Sequence, residues 1–228
     1  MSKAEHYHHG DLRNTLLRVG GALLDRDGVV GLELRRLARE AGVSHTAPYR
    51  HFADKQALLA ALAEEGFTQL HTTICGALEA AGPATATQLL AMAEAYINFA
   101  LAHPARMRLM FSGIATDELA YPELYRVAKA SFYALRDVIA RGQANQAIRG
   151  DDPKIPTLTI WSTMHGLAML LIDGQIPIER NDEDIRKEFL RQCALHVFEG
   201  VARRGGFRTQ NALWFLSSVL CALCSVVS

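Results

Sequence analysis

The sequence predicts an all-α protein, with a small three-helix head carrying a helix-turn-helix and a larger helical body behind it. Three observations predict this. No stretch alternates apolar and polar residues with period two between hairpin turns, as a half-buried strand would. Apolar residues recur instead at three- and four-residue intervals along most of the 228 positions. Glycine and proline fall between those runs, at Gly28, Gly42, Gly82-Pro83, Pro104, Pro122 and Pro153. Half the residues are hydrophobic, which gives a chain of this length a real core and excludes a disordered one. Formal net charge is zero, so any affinity for nucleic acid must come from a local patch.

The first helix is expected over residues 12–27, with Asp11 as cap and Gly28 as stop. Its apolar face is Leu12, Leu16, Val19 and Leu23. Gly20 and Gly21 lie inside it, each costing about 1 kcal/mol relative to alanine; they either admit a close neighbour or weaken the helix. The second helix places Leu34, Leu37, Ala38 and Ala41 on one face. Gly42 follows, the residue type that ends helices in a left-handed conformation, and Val43 can plug the corner. Ser44 is a good N-cap, so a short third helix can start at His45. Helix, tight glycine turn and helix form a helix-turn-helix, whose second helix can enter a DNA major groove. Five cations (Arg35, Arg36, Arg39, Arg50, Lys55) stand here against two anions (Glu40, Asp54). A surface helical hairpin with an incidental basic face has the same local pattern. A long helix is expected over residues 55–81, capped by Asp54, with Leu58, Ala61, Leu62, Phe67, Leu70 and Ile74 apolar. Further helices are expected over residues 86–102, 104–112, 122–146, 153–173 and 182–204. Pro104, Pro122 and Pro153 each sit where a first helical turn tolerates proline. The head would span residues 1–54 and the body 55–204.

The pattern continues through Tyr49-Arg50-His51-Phe52-Ala53-Asp54-Lys55 into the long helix. Together with Ala38-Arg39-Glu40-Ala41-Gly42-Val43-Ser44 it resembles the DNA-binding domain of the tetracycline-repressor (TetR) family, over about a quarter of the chain. The resemblance implies that the third helix reads double-stranded DNA. Ser44, His45 and Thr46 would aim polar groups at base edges, and Ala47 would touch a thymine methyl. Tyr49 and His51 would lie against the backbone, and Lys55 would reach a phosphate at a helix N-terminus. Arg36 and Arg39 would add backbone contacts, while Phe52 reads as core. Pro48 departs from the family pattern, where a larger aliphatic residue is commoner, and leaves the aim of His45 and Thr46 open. One head buries too little for tight binding. The expected assembly is a homodimer on a near-palindromic operator, its reading helices roughly 34–36 Å apart.

Residues 161–174 form the second informative stretch. Trp161 and His165 share a helix face with Leu158, Ala168 and Ile172, while Ile160, Met164, Leu167 and Leu171 line another. A helix apolar on two sides is buried on two sides. Trp161, His165 and Gly166 resemble the Trp-His-Gly type of TetR-like carboxy-terminal domain. That implies a four-helix dimer interface built from the last two helices, and a small-molecule effector in the body. Candidate pocket walls are Tyr96, Phe99, Met107, Met110, Phe111, Phe132, Trp161, Met164 and His165, with ordinary core as the alternative for each. Such walls suit a mostly apolar ligand. No catalytic, cofactor or metal site is read, because no nucleophile, carboxylate pair or second ligand accompanies His165. Cys221-x-x-Cys224 likewise lacks a second pair.

Residues 1–10 are polar and His-rich, readable as a flexible arm, a DNA contact or adventitious metal binder. With no secretory signal and four scattered cysteines, the cytoplasm is the expected compartment. From Thr209 to Ser228 no residue is charged, and Leu213, Leu216, Leu220, Leu223 and Val227 follow helical spacing. Twenty helical residues span about 30 Å, a bilayer core, and Arg203, Arg204 and Arg208 precede them. This tail of residues 205–228 reads three ways: a helix on the dimer surface, a poorly folding extension, or a membrane anchor. The expected function is a ligand-responsive DNA-binding regulator, acting as a repressor. The alternatives are a membrane-tethered or interaction protein organised by the tail, and a non-catalytic small-molecule binder.

Overall fold

A computed structural model describes residues 9–176 and 183–202. The leading residues 1–8, the tail 205–228 and the Cys221/Cys224 pair lie outside the described residues. Among the described residues eight α-helices follow one another: α1 (His9–Asp27), α2 (Leu34–Glu40), α3 (Lys55–Ala81), α4 (Thr85–Ala102), α5 (Pro104–Met110), α6 (Pro122–Ala144), α7 (Lys154–Ile172) and α8 (Glu183–Val201). Short 3-10 turns interrupt them at Val29–Gly31, Pro48–Arg50 and Ile114–Thr116.

α1 begins at His9, so Asp11 lies within the helix and is not its cap. The first-turn N–H groups of a helix can be met by water, and no capping side chain is obligatory there. Between Gly20 and Gly21, the close-neighbour alternative holds for Gly21, against which the Arg106 guanidinium sits. α3 starts where Asp54 caps it, the carboxylate accepting from the Ala57 N–H at 2.8 Å. Gly82 ends α3 with φ 72°, a left-handed backbone that glycine adopts without strain. Pro104 and Pro122 occupy the first turns of α5 and α6, as their fixed φ favours. Pro153 is instead the residue preceding α7. α6 stops at Ala144, because the N–H groups of Ala147 and Ile148 both turn back to the Gly142 carbonyl.

α3 carries the architecture. Its 27 residues extend about 40 Å at 1.5 Å each. One end packs on α1, where Leu62 lies against Gly20, and the other packs on α4, α5 and α6. Gly66 lets α5 sit close, since a Cβ there would fall 2.7 Å from the Met110 sulfur. α4 then forms the centre of the body, touching α6, α7 and α8. One buried apolar cluster runs from Leu16 to Val201 through Leu58, Phe67, Ile97 and Val138. Head and body therefore share α3 and a common core.

Candidate nucleic-acid interface

α2 buries Leu34, Leu37 and Ala38 and turns its arginines outward. It ends in a Schellman motif: the Gly42 N–H bonds the Arg39 carbonyl at 3.2 Å, and the Val43 N–H bonds the Ala38 carbonyl at 3.0 Å. Gly42 takes φ 68° to make that reversal. The chain then does not form the α-helix expected from His45. The Ala47 N–H bonds the Ser44 carbonyl at 3.0 Å, and residues Pro48–Arg50 make a 3-10 turn. Pro48 supplies the reason. It has no N–H to give the Ser44 carbonyl, which an α-helix through this point requires. Ser44 also does not cap; its hydroxyl lies 3.3 Å from that of Thr46.

The turn is nonetheless firmly held from below. Ala47, Pro48 and Phe52 are buried, and the Phe52 N–H closes on the Pro48 carbonyl at 2.9 Å. Above them Ser44, His45, Thr46, Tyr49 and Arg50 are exposed, and His51 and Lys55 are partly so. Ala47 is only 8% exposed, so the thymine-methyl contact expected of it gives way to a core role. Arg36 is likewise spoken for. It bonds the Asp27 carboxylate at 2.5 Å and the Gly31 carbonyl at 3.2 Å, tying α2 to the end of α1. Arg26 and Arg36 together hold the Asp27 carboxyl below the ordinary carboxylate range.

Charge bookkeeping then favours the surface. Glu40 pairs with Arg26 at 3.3 Å and Asp54 is engaged as a cap. Among the described residues, Arg35, Arg39, Arg50 and Lys55 form no ion pair. Four cations without an ion pair thus flank, along the chain, the exposed hydroxyl, imidazole and phenol groups of residues 44–49. Lys55 stands in the first turn of α3, where the helix dipole adds to its charge. Such a surface can meet phosphates with its cations and base edges with its polar tips.

In the body, five of the expected pocket walls pack directly on one another. Tyr96, Phe111, Phe132, Trp161 and His165 interlock as rings, with Tyr96–Trp161 centroids 5.6 Å apart, Phe132–Trp161 5.7 Å and Phe111–His165 4.3 Å. The fully buried Tyr96 hydroxyl lies 2.8 Å from His165 Nδ1. Burial raises the Tyr96 phenol and lowers the His165 imidazolium, so both are neutral near pH 7. Met107 and Met110 are buried on α5, and Phe99 packs on His103 at 4.9 Å. A cavity of about 50 Å³ lies elsewhere, between α4, α7 and α8. Of the nine candidates only Met164 lines it, with Ile97, Ile160, Leu190, Cys193 and Phe198 among its other walls.

Residues 16–62 match the model of the tetR family of bacterial regulatory proteins, and residues 89–194 match that of the tetracyclin repressor-like C-terminal domain. The chain belongs to the TetR family. The tetracycline repressor protein class A from transposon 1721 of Escherichia coli is 48% identical over 59 residues, 26% of this chain and 27% of that repressor. An HTH-type transcriptional regulator of Mycobacterium tuberculosis is 31% identical over 136 residues, 59% of this chain and 58% of its own. The matches thus span less than two thirds of these curated relatives. A solved structure of a protein with unknown function from Rhodococcus sp. RHA1 is 37% identical, with a TM-score of 0.77 over 87% of this chain and all of that one. The TetR family transcriptional regulator PfmR from Thermus thermophilus, at 20% identity, shares the fold, with a TM-score of 0.62 over 82% of this chain and 99% of its own.

In this TetR-family chain the fold also leaves Arg35 and Arg50 exposed, two cations to which the sequence alone gave no role. The excess of cations over anions was the signal for them, once Glu40 and Asp54 are seen to be engaged. The cavity walls on α4 and α8 were missed as well. Their apolar spacing marks them as core, and no local pattern tells core from cavity.

Proposed function

We propose that this chain is a sequence-specific DNA-binding transcriptional regulator, acting as a homodimeric repressor on a near-palindromic operator. The observation that carries this is the segment Ser44–Thr46 with Tyr49, exposed over the buried Ala47, Pro48 and Phe52 in a stretch whose Arg35, Arg39, Arg50 and Lys55 form no ion pair among the described residues. Ser44, His45 and Thr46 read base edges; Tyr49, His51, Arg39 and Lys55 contact the backbone. Dimerisation is supported by α7 and α8. Ile155, Leu158 and Leu170 on α7, and Ile185 on α8, are exposed apolar side chains at 65%, 42%, 46% and 52%. A second copy placing the same helices opposite would cover them, as a two-fold interface does. The effector is a mostly apolar small molecule; the apolar lining of the cavity between α4, α7 and α8 supports that place as its seat, which must widen from about 50 Å³ to admit it. It binds the form whose heads are wrongly spaced for DNA and so releases the operator, with a coupling of about 1–3 kcal/mol.

Retardation of genomic fragments, followed by footprinting, tests the reading. Lys55→Ala should reduce the log–log salt slope of binding by about 0.9. His45→Ala and Thr46→Ala should change which fragments are preferred, at about 1–3 kcal/mol per lost base contact. A protein that retards no duplex at low ionic strength would overturn the proposal.

A further inference from the structure

α5 is a seven-residue helix with two different faces. On one, Met107 and Met110 are fully buried, and Phe111 at its end lies against His165 at 4.3 Å and Phe67 at 5.4 Å. On the other, Arg106 reaches across to the head. Its Nη1 donates to the Gln69 side-chain carbonyl on α3 at 2.9 Å, and its Nη2 to the Asp25 carboxylate on α1 at 3.5 Å. The guanidinium lies over Gly21, where a Cβ would come within 2.7 Å of Nη2 and 3.5 Å of Cζ. Only glycine leaves that seat. The arginine side chain is 18% exposed, and its Nε is buried without a partner.

We propose that Arg106 is the positioning residue that sets the angle of the DNA-reading head against the body. This rests on the functional reading above. Its guanidinium joins α1 and α3 at one point, and five residues of rigid chain connect that point to the ring cluster of the body. A displacement of Phe111 or Met110 therefore moves the clamp on α1. The unmatched Nε leaves the clamp incompletely satisfied, a cost that an arrangement giving this donor a partner would relieve. An ordinary surface ion pair would have neither the glycine seat nor the buried donor.

Two substitutions separate positioning from mere stabilisation. Arg106→Met removes both bonds and keeps much of the bulk. Gly21→Ala leaves the charge in place but drives the guanidinium out of its seat; the obstructing atoms are the far end of a flexible side chain, so the fold can accommodate it. Alanine also favours the helix over glycine, so a purely structural role predicts an α1 at least as stable and an unmoved head. The measurement is electron–electron spin-distance spectroscopy on the full chain. Labels go at the exposed positions Arg18 on α1 and Ala140 on α6, with the four native cysteines replaced. Labelled chain is diluted into unlabelled chain, so that distances within one chain dominate. The expected result is one narrow distance peak in the parent protein, shifted or broadened in both variants, with unchanged helical circular dichroism. Duplex retardation at low ionic strength should weaken in parallel. Peaks that superimpose on the parent's would overturn the proposal, whatever the melting temperatures do. If Arg106→Met fails to fold, Gly21→Ala decides alone. A shifted peak with parental duplex retardation would also overturn it, since the head angle would not matter to binding. A parent that retards no duplex sinks the functional reading instead, while the peaks still report on the clamp.

Discussion

Removing one oxygen from the centre of the body tests the Tyr96–His165 contact directly. In Tyr96→Phe the ring keeps its place beside Trp161 at 5.6 Å, but the 2.8 Å bond to His165 Nδ1 is lost. A neutral intramolecular hydrogen bond contributes about 1 kcal/mol net, and removing one partner so that the other is left unsatisfied costs about 1–3 kcal/mol. The hydroxyl itself no longer needs burying, which offsets part of that. A loss of about 2 kcal/mol is therefore expected. For a chain of this size, each kcal/mol lowers the melting temperature by about 2–4 °C, giving a fall of about 4–8 °C. Urea titration of the parent, Tyr96→Phe, His165→Leu and the double variant isolates the pair. The double variant should be less destabilised than the sum of the singles by about 1–2 kcal/mol. Additivity within about 0.5 kcal/mol would refute the reasoning, because the two groups would then be unconnected in solution.

The same imidazole predicts a pH dependence. Burial lowers the His165 pKa in the folded protein, whereas in the unfolded chain it titrates near the usual value of about 6.5. Its contribution to stability is complete above that value and is lost as pH falls through the folded pKa. Urea midpoints compared at neutral and mildly acidic pH should therefore drop on acidification, and drop less in His165→Leu. Asp54→Ala removes the cap of α3 and should cost about 1 kcal/mol by urea titration; an unchanged midpoint would mean the Ala57 N–H is equally well served by water. Gly142→Ala places a Cβ 2.7 Å from Thr85 Cγ2 and 2.9 Å from Ile148 Cδ1, both on stiff, buried, β-branched side chains. Overpacking of about 1–3 kcal/mol should outweigh the gain in helix propensity, so this variant melts lower; one that melts higher would show that α6 and the loop after it yield freely.

The course of the helices was readable because their causes are local. Asp54 and the apolar spacing after it define α3, and Gly42 can end α2 only by the left-handed turn it makes. The exposure of Ser44, His45, Thr46 and Tyr49 was readable for the same reason, since polar side chains on a short turn over Phe52 have nowhere to go but outward. Pro48 was visible too, yet its effect was not. Whether a proline in a first turn is absorbed depends on which carbonyls still find donors, and here the Ser44 carbonyl takes the Ala47 N–H instead.

Sequence by itself therefore determined the all-helical class, the helix-turn-helix address and the basic balance around it. Spacing, caps and breakers act within a few residues, and those effects survive whatever surrounds them. Tertiary structure alone decided that Arg36 is consumed by Asp27, that Ala47 faces inward, and that the aromatic residues of the body fill one another's space. It alone brought Arg106 onto Gly21, across 85 positions of chain from residue 21 to residue 106. Those outcomes depend on which distant surface arrives first at a given side chain, and no local pattern carries that information.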